Sequence, residues 1–187
     1  MKFVDSLDAR KHIALFYEEP EYARMIAFRF IKNGLVNSEE CVYATDEDSG
    51  SIVLQMLSYG VSLEYFLTKK IRVFQIHNSC LNRDEILKDS RKNIDMILSA
   101  LRPPFRIVSR LVPNVSTYDG ISAELELERS THARFDSFGG SLMCPYDLSK
   151  IEASNRKHWL TALHENHHAI IYAPKFGEGG VLCPCEN

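Results

Sequence analysis

A three-layer α/β fold, with a mainly parallel sheet flanked by helices, follows from three observations. Short apolar runs of β-forming residues alternate with longer segments of helical period from one end of the chain to the other. The chain has 187 residues, of which 45% are hydrophobic and 25% charged, enough to bury one ordinary core. It carries neither an internal repeat nor a Pro/Gly-rich linker, so a single domain is expected, with its core at about residues 10–175 and a tail at 176–187.

The first strand is expected at residues 13–17. A helix follows from Pro20, suited to a first helical position, with Tyr22, Met25, Ile26 and Phe30 on one face and Gly34 as its stop. The second strand, 41–45, leads to a helix from Ser49, a plausible N-cap, to Gly60, and a shorter helix spans 62–69. After a strand at 71–76, Leu87, Ser90, Ile94, Ile97, Leu98 and Leu101 form one stripe, which Pro103-Pro104 terminates. A strand at 106–112 is followed by a helix capped by Asp119 and running to about Phe135, with Gly139-Gly140 as the break. The fifth strand is placed at 142–145. The last helix begins at Ser149 or Glu152 and packs through Trp159, Ala162 and Leu163, and the sixth strand is 169–173.

Composition excludes several function classes. The 22 Lys and Arg against 25 Asp and Glu give a net charge of −3, without the basic excess that sequence-independent nucleic-acid or anionic-membrane binding draws on. The acidic N-terminus does not read as a signal peptide and no run is long enough to span a membrane, so a cytoplasmic protein is expected. Cys41, Cys80, Cys144, Cys183 and Cys185 are odd in number, and two lie in predicted strands, so reduced thiols are expected.

Ligands of open parallel sheets bind outside the carboxyl ends of the strands. Here those positions carry Tyr17-Glu18-Glu19, Thr45 to Asp48, His77 to Cys80, Asn114 to Asp119, Tyr146-Asp147 and Lys175. A phosphate loop is missing: Glu18-Glu19-Pro20-Glu21 follows the first strand, where a nucleotide site needs glycines and a lysine. Arg106 and Arg110, four apart on a strand, point to one face; they hold an acidic ligand or, preferably, pair with Glu124 or Glu128. His164-Glu165-Asn166-His167-His168 matches H-E-x-x-H, which needs a helix through both outer histidines and a third ligand from Glu178, Cys183 or Cys185. The strand-like residues 169–173 follow at once, so neither a metal, another cofactor nor a catalytic residue is assigned.

In order along the chain, His12-Ile13-Ala14-Leu15-Phe16-Tyr17-Glu18, Phe30 to Leu35, Glu40-Cys41-Val42-Tyr43, Phe105-Arg106-Ile107-Val108, the acidic helix around Glu124, Cys144-Pro145-Tyr146-Asp147 and His167-x-x-Ile170-Ile171 resemble the MEDS domain family. This family takes its name from methanogen and methylotroph proteins and the sensory region of the dichloromethane-responsive repressor. The resemblance implies a RecA- or KaiC-like sheet that has lost its phosphate loop, in a sensory domain for small hydrocarbon derivatives. Such domains stand alone or beside helix-turn-helix, kinase or anti-sigma-antagonist modules. With none of these modules expected here, the signal would pass to a separate partner such as a kinase or transcription regulator. His167-His168 departs from the family's His-Pro, which weakens the H-E-x-x-H reading further.

The expected function is therefore a non-catalytic sensory domain binding a small organic molecule through Tyr17, Arg110, Tyr146 and Asp147, with His12 and His167 behind them. The tyrosines would offer an apolar face and a hydroxyl, Arg110 a fixed charge and Asp147 an acceptor. Two alternatives stand beside it: a zinc-dependent hydrolase using His164, Glu165 and His168, and a degenerate nucleotide-binding regulator that forms homo-oligomers.

Overall fold

The computed structural model describes residues 2–7, 10–76, 82–112, 115–151 and 153–183. A short helix α1 (Lys2–Asp5) precedes β1 (His12–Tyr17), α2 (Pro20–Val36), β2 (Glu40–Thr45), α3 (Ser49–Ser58), α4 (Leu63–Leu67) and β3 (Ile71–Gln75). Then come α5 (Arg83–Ser99), β4 (Phe105–Ser109), α6 (Tyr118–His132), β5 (Gly140–Asp147), α7 (Ala153–Glu165), β6 (Ala169–Ala173) and β7 (Gly180–Leu182). The strands form one seven-stranded sheet in the order β3-β2-β4-β5-β1-β6-β7, parallel throughout except for β7.

Alternation along each strand divides the core into two layers. Ala14, Phe16, Ile107, Leu142, Cys144 and Tyr146 face the side where Ile97, Leu127, Trp159 and Leu163 pack from α5, α6 and α7. Ile13, Leu15, Cys41, Tyr43, Val108 and Met143 face the opposite side, against Ile26, Phe30 and Ile31 of α2 and Ile52 and Met56 of α3. Both faces of the central strands are thus covered, as the three-layer reading requires.

Several boundaries differ from the sequence expectation. Gly34 lies inside α2, two residues before its end, because a Cβ there would sit 2.7 Å from Arg106 Cδ. Arg106 runs through that gap to Glu39, with Nε and Nη2 each 3.0 Å from a carboxylate oxygen, and its Nη1 donates to Phe30 O at 3.2 Å. Its partner is therefore Glu39, across the sheet from Glu124 and Glu128. Asp48, rather than Ser49, caps α3, accepting from Ser51 N at 2.7 Å, and Thr117, rather than Asp119, caps α6, accepting from Gly120 N at 3.1 Å.

The fourth strand stops at Ser109, and the fifth extends from Gly140 to Asp147. Gly140 is a strand residue because a Cβ would lie 2.3 Å from Phe105 O, a closeness of backbones that only glycine allows. Part of the expected tail is also ordered into the sheet: β7 pairs antiparallel with β6, Tyr172 opposite Gly180. Among the described residues, Cys41 and Cys144 are buried free thiols and Cys183 an exposed one, and no helix is long and apolar enough to cross a membrane.

Candidate functional site

At the carboxyl end of β1, the position of a phosphate loop is closed by the chain itself. The amides of Glu18 and Glu19 both donate to Pro174 O, at 3.3 and 3.0 Å, and Glu19 Oε2 accepts from Phe176 N at 3.2 Å. With Pro20 opening α2, the first helical position has no N–H to offer, and the carboxylates of Glu18, Glu19 and Glu21 around it repel an anion. This is the physical content of the missing glycines, and it argues against the nucleotide-binding alternative.

The six residues singled out from sequence separate into two groups. Tyr17, Arg110 and Asp147 lie on the strand-end rim. Arg110 Nη2 donates to Asp46 Oδ1 at 2.6 Å; burial opposes its charge, but Asp46, with Tyr17 and Asp147 behind it, raises its pKa. Burial also pushes the Tyr17 hydroxyl up, with Arg110 opposing and Asp147 and Asp46 adding to the rise. Asp147 is committed locally, its Oδ1 accepting from Ser149 N at 3.0 Å and Ser149 Oγ at 2.6 Å. His77 to Cys80, Asn114 and Cys185 lie outside the described residues.

His12, Tyr146 and His167 come together on the other side of the sheet, buried beneath α6 and α7. Glu128 of α6 and Cys144 of β5 complete the cluster. His12 Nε2 is 3.0 Å and His167 Nε2 3.4 Å from Glu128 Oε2, and Cys144 Sγ is 3.5 Å from His12 Nε2. Tyr146 donates its hydroxyl to Glu128 Oε1, and His167 Nδ1 is 2.7 Å from Leu163 O, which makes Nδ1 the protonated nitrogen. His168 braces the start of β1: His12 N donates to its Nδ1 at 3.1 Å, and His168 N donates to His12 O at 2.8 Å.

The electrostatics of this cluster follow from burial and neighbours. Burial, then the Glu128 charge, pushes the Glu124 carboxyl well above its usual range, whereas the imidazoles of His12 and His167 outweigh burial at Glu128 and hold it down to about 2. Burial lowers His167 to about 4 despite Glu128. Burial and the two carboxylates push the Cys144 thiol well up. Among the described residues, His12 Nδ1, Glu128 Oε2 and His167 Nε2 are buried without a hydrogen-bond partner.

A third feature is apolar. Between α5, α6 and the sheet lies a cavity of about 40 Å³ lined by Ile94, Ile97, Leu98, Ile107, Leu111, Phe138 and Leu142, with Ser109 and Thr131 as its polar members. Among the described residues, Ser109 Oγ is buried without a hydrogen-bond partner. The cavity shares Ile94, Leu98, Thr131 and Phe138 with an outer cleft of about 360 Å³.

The H-E-x-x-H segment does not form a metal-binding helix face. α7 ends at Glu165, His164 is exposed, and His168 Nδ1 accepts from the β1 backbone. The zinc hydrolase built on His164, Glu165 and His168 is thereby set aside. Glu128 entered the sequence reading as an ion-pair partner for Arg106 or Arg110, and Cys144 as a reduced thiol. The signal for more was present: Glu124 and Glu128 fall on the same helical stripe as the buried Ala123 and Leu127, where a carboxylate needs a buried partner.

Residues 11–167 match the model of the family described as MEDS, the MEthanogen/methylotroph, DcmR Sensory domain. The chain belongs to the MEDS family. The MEDS domain described here is accordingly a sensory domain by family. Among solved structures it is similar to a KaiC-like protein from the hyperthermophilic archaeon Pyrococcus horikoshii OT3. The identity is 16%, over 91% of this chain and 76% of that one, with a TM-score of 0.59. That likeness establishes the fold: a KaiC-like three-layer sheet. No curated protein matches the chain.

Proposed function

We propose that this MEDS domain senses a small, weakly polar organic molecule in the cavity between α5, α6 and β4, and signals its occupancy to a separate protein. The observation that carries the reading is the cavity itself. Its 40 Å³ is space for roughly three waters by the measure that gives one water about 10–15 Å³, so it suits a compound of one or two carbons. Its walls are nearly all aliphatic or aromatic, which disfavours water, and the unpartnered Ser109 hydroxyl offers one directional contact to a halogen or oxygen substituent. Because α5 and α6 form two of its walls, filling it bears on how those helices pack, and they are the elements a partner would read.

A second reading places an anionic ligand on the rim, where, among the described residues, Arg110 has the partly exposed Asp46 as its one ion-pair partner and Tyr17 stands beside it. The two are separable by ligand charge. Dichloromethane at sub-denaturing concentration is expected to raise the melting temperature saturably in the wild type, by RT ln(1 + [L]/Kd) in free energy. Leu98→Phe, which fills the cavity from its partly exposed wall, is expected to keep the fold and lose that shift. A shift that survives Leu98→Phe but is lost in Arg110→Ala assigns the ligand to the rim.

A further inference from the structure

The buried cluster beneath α6 offers chemistry that a ligand-binding cavity does not require. His12 comes from the start of β1, Glu128 from α6, Cys144 from β5 and His167 from the turn before β6. One donor atom from each lies within 4.8 Å of all the others. We propose that these four residues bind one zinc ion and thereby clamp α6 to the sheet.

The distances fit a tetrahedral ion. Metal–ligand bonds of about 2.0–2.3 Å place ligand atoms about 3.3–3.8 Å apart along tetrahedron edges. The 3.0, 3.4 and 3.5 Å separations already lie close to that range. Two imidazole nitrogens, a carboxylate oxygen and a thiolate sulfur form a borderline-soft set suited to zinc. The supporting contacts also point the right way. The Leu163 carbonyl takes the Nδ1 proton of His167 and leaves Nε2 as a lone pair directed inward, and the Tyr146 hydroxyl occupies Glu128 Oε1 and leaves Oε2 for the ion. Both inward atoms, like Nδ1 of His12, are buried without a hydrogen-bond partner among the described residues.

Charge favours the same conclusion. On binding, the Cys144 S–H gives its proton to solvent and the sulfur electron pair becomes the Zn–S bond. Thiolate and carboxylate then neutralise the 2+ ion, so the filled site buries no net charge, whereas the four side chains alone bury a carboxylate between two imidazoles.

The test uses the full chain with Cys80, Cys183 and Cys185 replaced by Ser, leaving Cys144 and Cys41, which lies on the opposite face of the sheet. Produced in cobalt-supplemented medium, this protein is expected to hold close to one Co²⁺ per chain. It should show the strong visible absorption of a four-coordinate site and a near-ultraviolet thiolate-to-cobalt band. Cys144→Ser should lose the thiolate band, and His167→Gln the stoichiometric metal; zinc-supplemented medium should give zinc in place of cobalt by elemental analysis. Protein that folds normally with far less than one metal per chain, from either medium, overturns the proposal, as does a thiolate band that survives Cys144→Ser. Should Cys144→Ser fail to fold, the metal content and spectrum of the parent protein decide the matter alone.

Discussion

Arg106 is a residue whose type is dictated by geometry rather than by any ligand. It is 3% exposed, forms a two-pronged pair with Glu39 and stacks its guanidinium 5.0 Å from the Phe30 ring centroid. Removing the carboxylate leaves a buried, unpaired cation, so Glu39→Ala is expected to cost about 3–5 kcal/mol in urea unfolding. Arg106→Met, which removes the charge while keeping much of the volume, should cost clearly less in the Glu39→Ala background than in the wild type. That a structural partner would occupy Arg106 was legible in the sequence. Which one was not, because pairing across a sheet depends on strand order, and Glu39 reaches Arg106 only because β2 lies beside β4. The same limit applies to the candidate site: Tyr17, Arg110 and Asp147 share a rim as strand-end residues should, but Tyr146 and His12 point to the opposite face. Strand alternation made that division available once Phe16 and Tyr17 were assigned to different sides.

Among the elements, α2 and α6 carry most of the packing logic. Glycine two residues before the end of α2 is worth having only because Arg106 needs its space, and elsewhere on a helix alanine would be the more stable choice by about 1 kcal/mol. Gly34→Ala is therefore expected to destabilise the wild type by about 1–3 kcal/mol through overpacking, and to become neutral or stabilising in an Arg106→Ala background. Chemical denaturation of the four-member cycle measures this. The start of α2 and the strand centres were readable from sequence because prolines and apolar runs are local signals, whereas the caps of α3 and α6 lie one and two residues before those expected. The ends of α2 and β5 were not, since Gly34 and Gly140 resemble stops until their close neighbours Arg106 and Phe105 are in place. On α6, Thr131 lines the apolar cavity and Glu128 belongs to the buried cluster, so a single helix borders both features.

For the whole molecule, the two-sided core sets the response to alkali. Burial pushes the Cys41 thiol and the Tyr43 hydroxyl each up to about 12, from 9.0 and 10.0. These groups stay protonated in the folded chain while the unfolded chain releases its protons, so stability present in full below about pH 9 is lost as pH rises toward about 12. Urea midpoints are expected to fall across that window, and Cys41→Ala should flatten the fall. The phosphate turn of this KaiC-like sheet is closed onto Pro174, and on the proposed function a small molecule instead enters between α5, α6 and β4 and changes their packing. The most direct measurement is a methyl-resolved NMR titration of the Ile and Leu side chains with dichloromethane. Saturable shifts concentrated on Ile94, Ile97, Leu98, Ile107 and Leu142 are predicted; shifts that grow linearly and spread over the surface, or leave those methyls unmoved, would contradict the account.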